Sequence, residues 1–174
     1  GGFHRYTVDT AWVVPHFEKM LYDNAQLLGL YAAAASVLEE PRFGDVARDV
    51  AHYLAREMRH ESGAFYSSQD ADSSEGEGIY YVWTPQQVLD VLGPDMGRQI
   101  NRAYGVSERG NFEHNTTVLV RGERVKPSAP DLVEARRKLL AERSERVAPP
   151  TDTKRVVAWN GLAVGALARG ARLL

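Results

Sequence analysis

The sequence predicts a mainly α-helical fold, a circular or stacked array of helical hairpins with a small β-ribbon. Segments 17–38 and 160–174 are apolar on most sides, as in helices that are surrounded by other helices. Segments 42–59 and 131–147 carry an apolar stripe opposite a charged face, as in helices with one side in water. Alternation of the two kinds predicts an inner and an outer layer of helices.

A sequence echo supports this array. The pattern Gly-x-Phe-aromatic occurs at residues 1–4 and again at residues 63–66. A repeat of about sixty residues is typical of folds that stack the same helical unit several times.

Local start signals divide the first third of the chain into two helices. Apolar residues recur every three or four positions over 17–38, which predicts a long helix. Pro41 suits the first turn of a second helix, which we expect to end near Arg59. Because only a short turn joins them, the two helices form a hairpin.

The middle of the chain predicts a ribbon followed by short helices. Phe65–Ser67 and Ile79–Trp83 have the composition of strands, and the acidic loop between them suggests an antiparallel ribbon. Further signals predict helices after Thr84-Pro85 and Gly93-Pro94, a strand at Thr116–Val120, a helix capped by Asp131 and a last helix capped by Asn160.

Composition excludes several classes of function. The sequence contains no cysteine, which rules out a thiol nucleophile, a thiolate metal site and a disulfide framework. The net charge is −2 and the arginines are scattered among acids, so we expect no nucleic-acid partner. The longest apolar run, 27–38, is shorter than the roughly 20 residues that span a bilayer, so we expect no membrane partner.

The ends of the chain suggest a piece of a longer protein. The chain opens on Gly1 and closes at Leu174 inside a predicted helix. It shows no signal-peptide pattern, and we expect a cytoplasmic location.

The densest polar constellation lies at the start of the first predicted helix. On a helix, His16 and Asp23 lie on one line, roughly 10 Å apart by helix rise, a spacing suited to two sides of a small ligand. Glu18 and Tyr22 form a neighbouring pair, and Asn24 lies in the apolar stripe, where an unpaired amide is costly. Each side chain alone has an ordinary structural explanation, but together they favour a binding site.

The second constellation is the acidic loop between the predicted strands. Asp70 and Asp72 open it as in a calcium loop. Glu75 and Tyr81 stand where an EF-hand has a glycine and a bidentate glutamate, so we expect no metal. Carboxylates beside aromatic rings such as Tyr81 and Trp83 suit a sugar, because hydroxyls donate to acids and rings cover apolar sugar faces. A solvated acidic loop is the alternative.

The third constellation precedes the last predicted helix. Asp152 and Lys154 lie shortly before Trp159 and Asn160. Capping of the helix by Asn160 is an ordinary explanation for that residue.

Six blocks of the sequence together match a known family: 1–6, 14–25, 63–66, 70–73, 77–84 and 159–162. Through these blocks the sequence resembles the thioredoxin-domain-containing proteins related to spermatogenesis-associated protein 20, and the match runs along nearly the whole chain. Thr153 is a departure, since a second acid is expected after Asp152.

The resemblance implies a fold. Residues 1–174 would be a fragment of a single (α/α) toroid domain, of the kind found in six-hairpin glycosidases and N-acylglucosamine epimerases. A thioredoxin-like domain and the remaining hairpins would lie outside this chain. In a toroid the starts of the inner helices meet at one mouth, so we expect the constellations to converge on a sugar or sugar-like ligand, without a cofactor.

Two mechanisms and one non-catalytic role stay open. A hydrolase would use Asp23 and Asp70 as acid and base, whereas an isomerase or epimerase would move a proton with His16 and His4. Alternatively, the domain is a scaffold that binds a client or supports the thioredoxin-like domain. The residues expected to contact a substrate are Arg5, Glu18, Tyr22, Asn24, Asp72, Tyr81, Trp83, Trp159 and Asn160.

Overall fold

The computed structural model describes residues 1–122, 125 and 129–174. Helices dominate these ranges, so the prediction of a mainly helical fold is confirmed. The α-helices are α1 Leu21–Val37, α2 Pro41–Tyr53, α3 Pro85–Leu92, α4 Pro94–Ala103, α5 Pro130–Ser144 and α6 Val157–Leu173. They are joined by a π-helix at Leu54–Met58, which continues α2, and a 3₁₀ turn at Glu113–Asn115.

The strands in the described ranges are two residues long. They are β1 Tyr6–Thr7, β2 Pro15–His16, β3 Lys19–Met20, β4 Ser68–Gln69, β5 Asp72–Ser73, β6 Gly76–Glu77 and β7 Thr151–Asp152. Strand β1 pairs with β2 and β5 pairs with β6, while β4 lies between β3 and β7 in an antiparallel sheet.

The ribbon predicted from Phe65–Ser67 and Ile79–Trp83 is wrong. The acidic loop between them forms its own hairpin, β5 with β6, and residues 79–81 form a turn. Arg146 holds this turn, because its Nη1 donates to the carbonyls of residues 79, 80 and 82 at 3.3, 3.2 and 2.7 Å. These carbonyls accept hydrogen bonds from a guanidinium, whereas in a ribbon they would accept them from the backbone N–H groups of a neighbouring strand. The strand expected at Thr116–Val120 is reduced to one bridge, between Thr117 and Trp83.

The chain divides into two compact units. Unit 1 comprises Gly1–Tyr6, His16–Ala71 and Pro149–Leu174. Unit 2 comprises Thr7–Pro15 and Asp72–Ala148.

In unit 1, α1 packs against both α2 and α6. The start of α2 at Pro41 agrees with the proline signal in the sequence. Small residues on α6 allow close approach to α1, since a Cβ on Gly170 would lie 3.4 Å from Leu28. The core is formed by Leu21, Ala25, Leu28, Val50, Tyr53, Leu54, Met58, Phe65, Ala163 and Ala166.

Helices α1 and α6 also expose apolar side chains. Leu30 and Val37 are 63% and 79% exposed, and Val157 and Val164 are 86% and 61% exposed. The expectation that these helices are enclosed on most sides is therefore not met within the described ranges, where each buries one face.

In unit 2, α3, α4 and α5 surround a second core. Thr84 begins α3 with a reciprocal cap: its hydroxyl accepts the Gln87 N–H at 3.3 Å, and its own N–H donates to the Gln87 side chain at 2.9 Å. Helix α4 begins at Pro94 as predicted, but the N-cap of α5 is Ala129 rather than Asp131. The core is formed by Trp83, Val88, Ile100, Tyr104, Val106, Leu132, Ala135 and Leu139.

Candidate functional site

The segment leading into α1 does not continue the helix. His16 ends β2, and Lys19–Met20 form β3, so α1 starts only at Leu21. The backbone of this segment is held by the sheet, since Met20 pairs with Ser68. His16 and Asp23 therefore do not share one line of a helix, and the spacing derived from helix geometry is wrong.

Asp23 lies in the first turn of α1, with one carboxylate oxygen removed from solvent. That Oδ2 atom has no hydrogen-bond partner among the described residues. Burial raises the pKa of Asp23 above its ordinary value, the positive charge of Arg5 opposes the shift, and the negative charge of Glu18 adds to it. Asp23 is thus a carboxyl whose protonated form is favoured by its surroundings.

Arg5 joins the polar groups around Asp23. Its Nη1 donates to Glu18 Oε2 at 3.1 Å. The Tyr22 phenol and then Glu18 raise the pKa of the Arg5 guanidinium, so Arg5 lies against both. The ring of Tyr22 in turn meets Trp159 edge-on, with centroids 4.9 Å apart. The structure therefore brings together an acid pair, a cation and two aromatic rings from three parts of unit 1.

The two histidines near this group are held differently. His4 Nδ1 donates to the Phe17 carbonyl at 2.8 Å. His16 stacks on Tyr6 with ring centroids 4.9 Å apart. Its Nδ1 is buried and lacks a hydrogen-bond partner within the described ranges.

Asn24 is buried and serves the backbone. Its Oδ1 accepts the Phe3 N–H at 2.7 Å, and its Nδ2 donates to the Phe3 and Met20 carbonyls at 3.1 and 2.9 Å. Both amide hydrogens are therefore used within the fold.

Asn160 makes the same kind of contact and is not a helix cap. The N-cap of α6 is Val156, four residues earlier. Asn160 Oδ1 accepts the Phe65 N–H at 2.7 Å, and Nδ2 donates to the Phe65 and Val156 carbonyls at 3.0 and 3.1 Å. As with Asn24, its amide donors are committed to the backbone.

Asp70 is exposed at the end of β4. Its carboxylate accepts the Ala71 N–H at 2.7 Å, and its backbone N–H donates to the Pro150 carbonyl at 2.9 Å. The residue before it, Gln69, pairs with Lys19, which follows Glu18. Asp70 and Glu18 are therefore both next in sequence to the paired residues Lys19 and Gln69.

The other predicted contacts belong to unit 2. Asp72 is exposed in the β5–β6 hairpin, and Tyr81 packs edge-on against Tyr80 with centroids 4.9 Å apart. Trp83 is 3% exposed, and the Arg146 guanidinium lies over its ring, with the guanidinium carbon 4.0 Å from the ring centroid. Trp83 is therefore a core residue, and its ring is not offered to a ligand. Neither Arg143, in the last turn of α5, nor Arg146, which follows the helix, was singled out from the sequence.

Two cavities of unit 1 lie elsewhere. Their volumes are about 310 and 210 Å³, and they are lined mainly by α1, α2 and α6. Neither is lined by a predicted site residue.

In the part of the chain that the structure describes, no three His, Asp or Glu side chains are arranged to hold a metal ion. None of the described helices has the length and apolarity needed to cross a bilayer.

No family model matches the chain. It is similar to spermatogenesis-associated protein 20 of Homo sapiens, with 38% identity, and of Mus musculus, with 36% identity, in each case over 96% of this chain. It is also 29% identical to an uncharacterized protein of Caenorhabditis elegans over 97% of this chain. The chain spans about a quarter of the length of these relatives, 26% to 28%. Over nearly its whole length, this chain is therefore similar to one segment of spermatogenesis-associated protein 20.

Proposed function

We propose that this chain supplies part of a carbohydrate-active site, of glycoside hydrolase or sugar isomerase and epimerase type, and that Asp23 is the proton donor in the hydrolase version. The observation that carries the proposal is the Asp23 carboxyl, with one oxygen buried and unpartnered and its pKa raised by burial. A carboxyl whose pKa is raised holds its proton to a higher pH, as a general acid must.

The groups around Asp23 suit a sugar. Glu18 and Arg5 offer an acceptor and several donors to hydroxyl groups. The edge-on pair of Tyr22 and Trp159 offers flat apolar surface beside them. A hydroxylated ligand with an apolar face matches this combination better than a purely apolar one.

The hydrolase version needs a second carboxylate to act as base or nucleophile. We propose Asp70 for this role. The distance between the Asp23 and Asp70 carboxyl groups would decide the stereochemistry of hydrolysis: about 5 Å implies retention at the anomeric carbon, and roughly 6.5–9.5 Å implies inversion. Glu18 is the neighbouring acid, close enough for its charge to affect the pKa of Asp23. The isomerase version instead uses His16 and His4 to move a proton. The buried Nδ1 of His16 has no hydrogen-bond partner among the described residues.

The proposal places the chain within an (α/α) toroid that continues outside it. The exposed apolar side chains of α1 and α6, such as Val37 and Val157, support this, because helices apolar on several sides are usually enclosed. The greater length of the relatives provides room for further hairpins and for a thioredoxin-like domain of the same protein. We also propose a cytoplasmic location for the intact protein.

A non-catalytic scaffold is the second candidate. The hydrogen bonds of Asn24 and Asn160 favour this alternative, because both side-chain amides bond to backbone groups of the fold itself. On this alternative the toroid would bind a client or support the thioredoxin-like domain, and the polar cluster would be structural.

Ligand screening of the full-length protein with a panel of sugars tests the proposal. We expect one sugar class to bind and to be converted, with conversion falling by roughly 10²-fold or more in Asp23→Asn. Asp49→Asn, an exposed acid on α2, is the matched control and should convert normally. Binding without conversion would favour the scaffold, and unchanged conversion by Asp23→Asn would overturn the assignment of Asp23.

A further inference from the structure

Unit 2 holds two arginines against an aromatic turn. Arg143 lies in the last turn of α5, and Arg146 follows the helix. Both guanidinium groups face the turn that contains Tyr80 and Tyr81. The two arginines nevertheless differ in how well their donors are satisfied.

Arg146 has a complete structural role. One of its nitrogens reaches three carbonyl oxygens, the shortest contact being 2.7 Å to Val82. Its guanidinium also covers the ring of Trp83. This side chain explains the shape of the turn and needs no further partner.

Arg143 lacks such partners. Its guanidinium lies over the rings of Tyr80 and Tyr81, 5.1 and 5.4 Å from their centroids. Its Nε is buried and has no hydrogen-bond acceptor among the described residues. Within those ranges Arg143 also forms no ion pair. The side chain as a whole is half-buried, and its two Nη nitrogens likewise have no hydrogen-bond acceptor among the described residues. A ligand that reaches these Nη donors would supply the missing acceptor.

The charge of the cluster is also unbalanced. Burial lowers the pKa of Arg146, and the neighbouring charge of Arg143 lowers it further. Glu142 and Glu75 act on Arg146 in the opposite direction, but neither forms an ion pair with either arginine in the part of unit 2 that is described. Two adjacent cations therefore share a semi-buried site without a bonded anion.

We propose that Arg143, held over Tyr80 and Tyr81, binds an oxyanion, the carboxylate or phosphate group of a small ligand. A guanidinium binds such groups through two parallel N–H donors, and the two Nη nitrogens of Arg143 can supply them. Contact with the two tyrosine rings positions the guanidinium before a ligand arrives. The site lies wholly in unit 2 and does not depend on the carbohydrate proposal for Asp23.

Nitrogen-15 NMR of the arginine side chains tests the site in the wild-type chain. We expect the Arg143 Nε–Hε resonance to move and saturate on titration with inorganic phosphate or with acetate, and not with chloride at equal ionic strength. Saturation by phosphate alone identifies a phosphate site, and saturation by acetate alone identifies a carboxylate site. If no oxyanion moves this resonance to saturation, the proposal is wrong.

Two variants separate the site from general charge effects. Arg143→Gln should weaken binding by roughly tenfold or more, because a charge-assisted bond is lost. Arg137→Gln is the matched control on the same helix, since Arg137 is exposed and already paired with Glu134 at 2.8 Å. Equal weakening in the two variants would contradict the assignment. Should Arg143→Gln fail to fold, the wild-type titration still decides.

Discussion

Asn160 holds the backbone of Phe65 through the same three hydrogen bonds with which Asn24 holds the backbone of Phe3. Each asparagine is the fourth residue of its helix, accepts the phenylalanine N–H, and donates to that residue's carbonyl and to the carbonyl just before the helix. Each phenylalanine belongs to a Gly-x-Phe-aromatic pattern. The weak sequence echo thus marks two equivalent positions in unit 1, one at the start of α1 and one at the start of α6.

Replacing either asparagine should destabilise the chain strongly. Asn24→Ala and Asn160→Ala each leave a backbone N–H and carbonyl without their partner, which we expect to cost about 2 to 4 kcal/mol of unfolding free energy. Urea unfolding of each variant measures the loss. Gln26→Ala is the control, because Gln26 is an exposed amide on α1 that donates to the Tyr22 carbonyl of its own helix. Losses as small as that of Gln26→Ala would show that the two contacts are not equivalent anchors.

Helix starts could be predicted from the sequence because their signals are local. Pro41, Thr84-Pro85 and Pro94 each satisfy a backbone or cap requirement within one turn of their own helix. The segment before α1 could not be predicted in this way. Its apolar spacing resembles a helix, but Lys19 pairs with Gln69, fifty positions later along the chain, and that long-range pairing fixes an extended backbone.

The site was partly predictable for the same reason. Asp23, Glu18 and Tyr22 are close in sequence, so a compact fold of that segment keeps them together. Arg5 and Trp159 were also expected at the site, and the structure places Arg5 against Glu18 and Trp159 against Tyr22. Asn160 was misjudged because its partner, Phe65, lies 95 residues away. No local rule identifies that contact.

Removing the Asp23 carboxyl should change how stability depends on pH. Because burial raises the pKa of Asp23, the folded chain binds this proton more tightly than the unfolded chain does. Stability is therefore lost as the pH rises from the ordinary carboxyl pKa through the raised value, and Asp23→Asn avoids that loss. We expect the stability of Asp23→Asn relative to wild type to increase as the pH rises above the ordinary aspartate pKa of about 4 and through the raised pKa of Asp23. Urea unfolding across this range measures it, and a relative decrease would contradict the burial of Asp23.

The neighbours of Asp23 should shift its titration in opposite directions. Arg5→Gln removes a positive charge and should raise the pKa of Asp23 further, whereas Glu18→Gln removes a negative charge and should lower it. Carbon-13 NMR of the Asp23 carboxyl follows both shifts. Arg42→Gln, which removes an exposed cation paired with Glu40, serves as the control. A shift of the same sign in both test variants is incompatible with the described electrostatics.

Unit 2 offers a test of the cap at Thr84. Thr84→Ala removes the hydroxyl that accepts the Gln87 N–H, which should cost about 1 kcal/mol of unfolding free energy. Thr84→Ser keeps the acceptor and should recover most of the loss. Urea unfolding of the two variants measures the difference. Equal stability of the alanine and serine variants would mean that the hydroxyl contributes nothing to α3.

The most direct test of the functional account is the titration of Asp23 itself. Carbon-13 NMR of the side-chain carboxyl in the wild-type chain, followed as the pH is raised, gives its pKa without any substitution. The account predicts a midpoint above the ordinary range of aspartate, because burial disfavours the charged form. A midpoint at or below that range would show that Asp23 is an ordinary carboxylate, and the proposed proton donor would be lost with it.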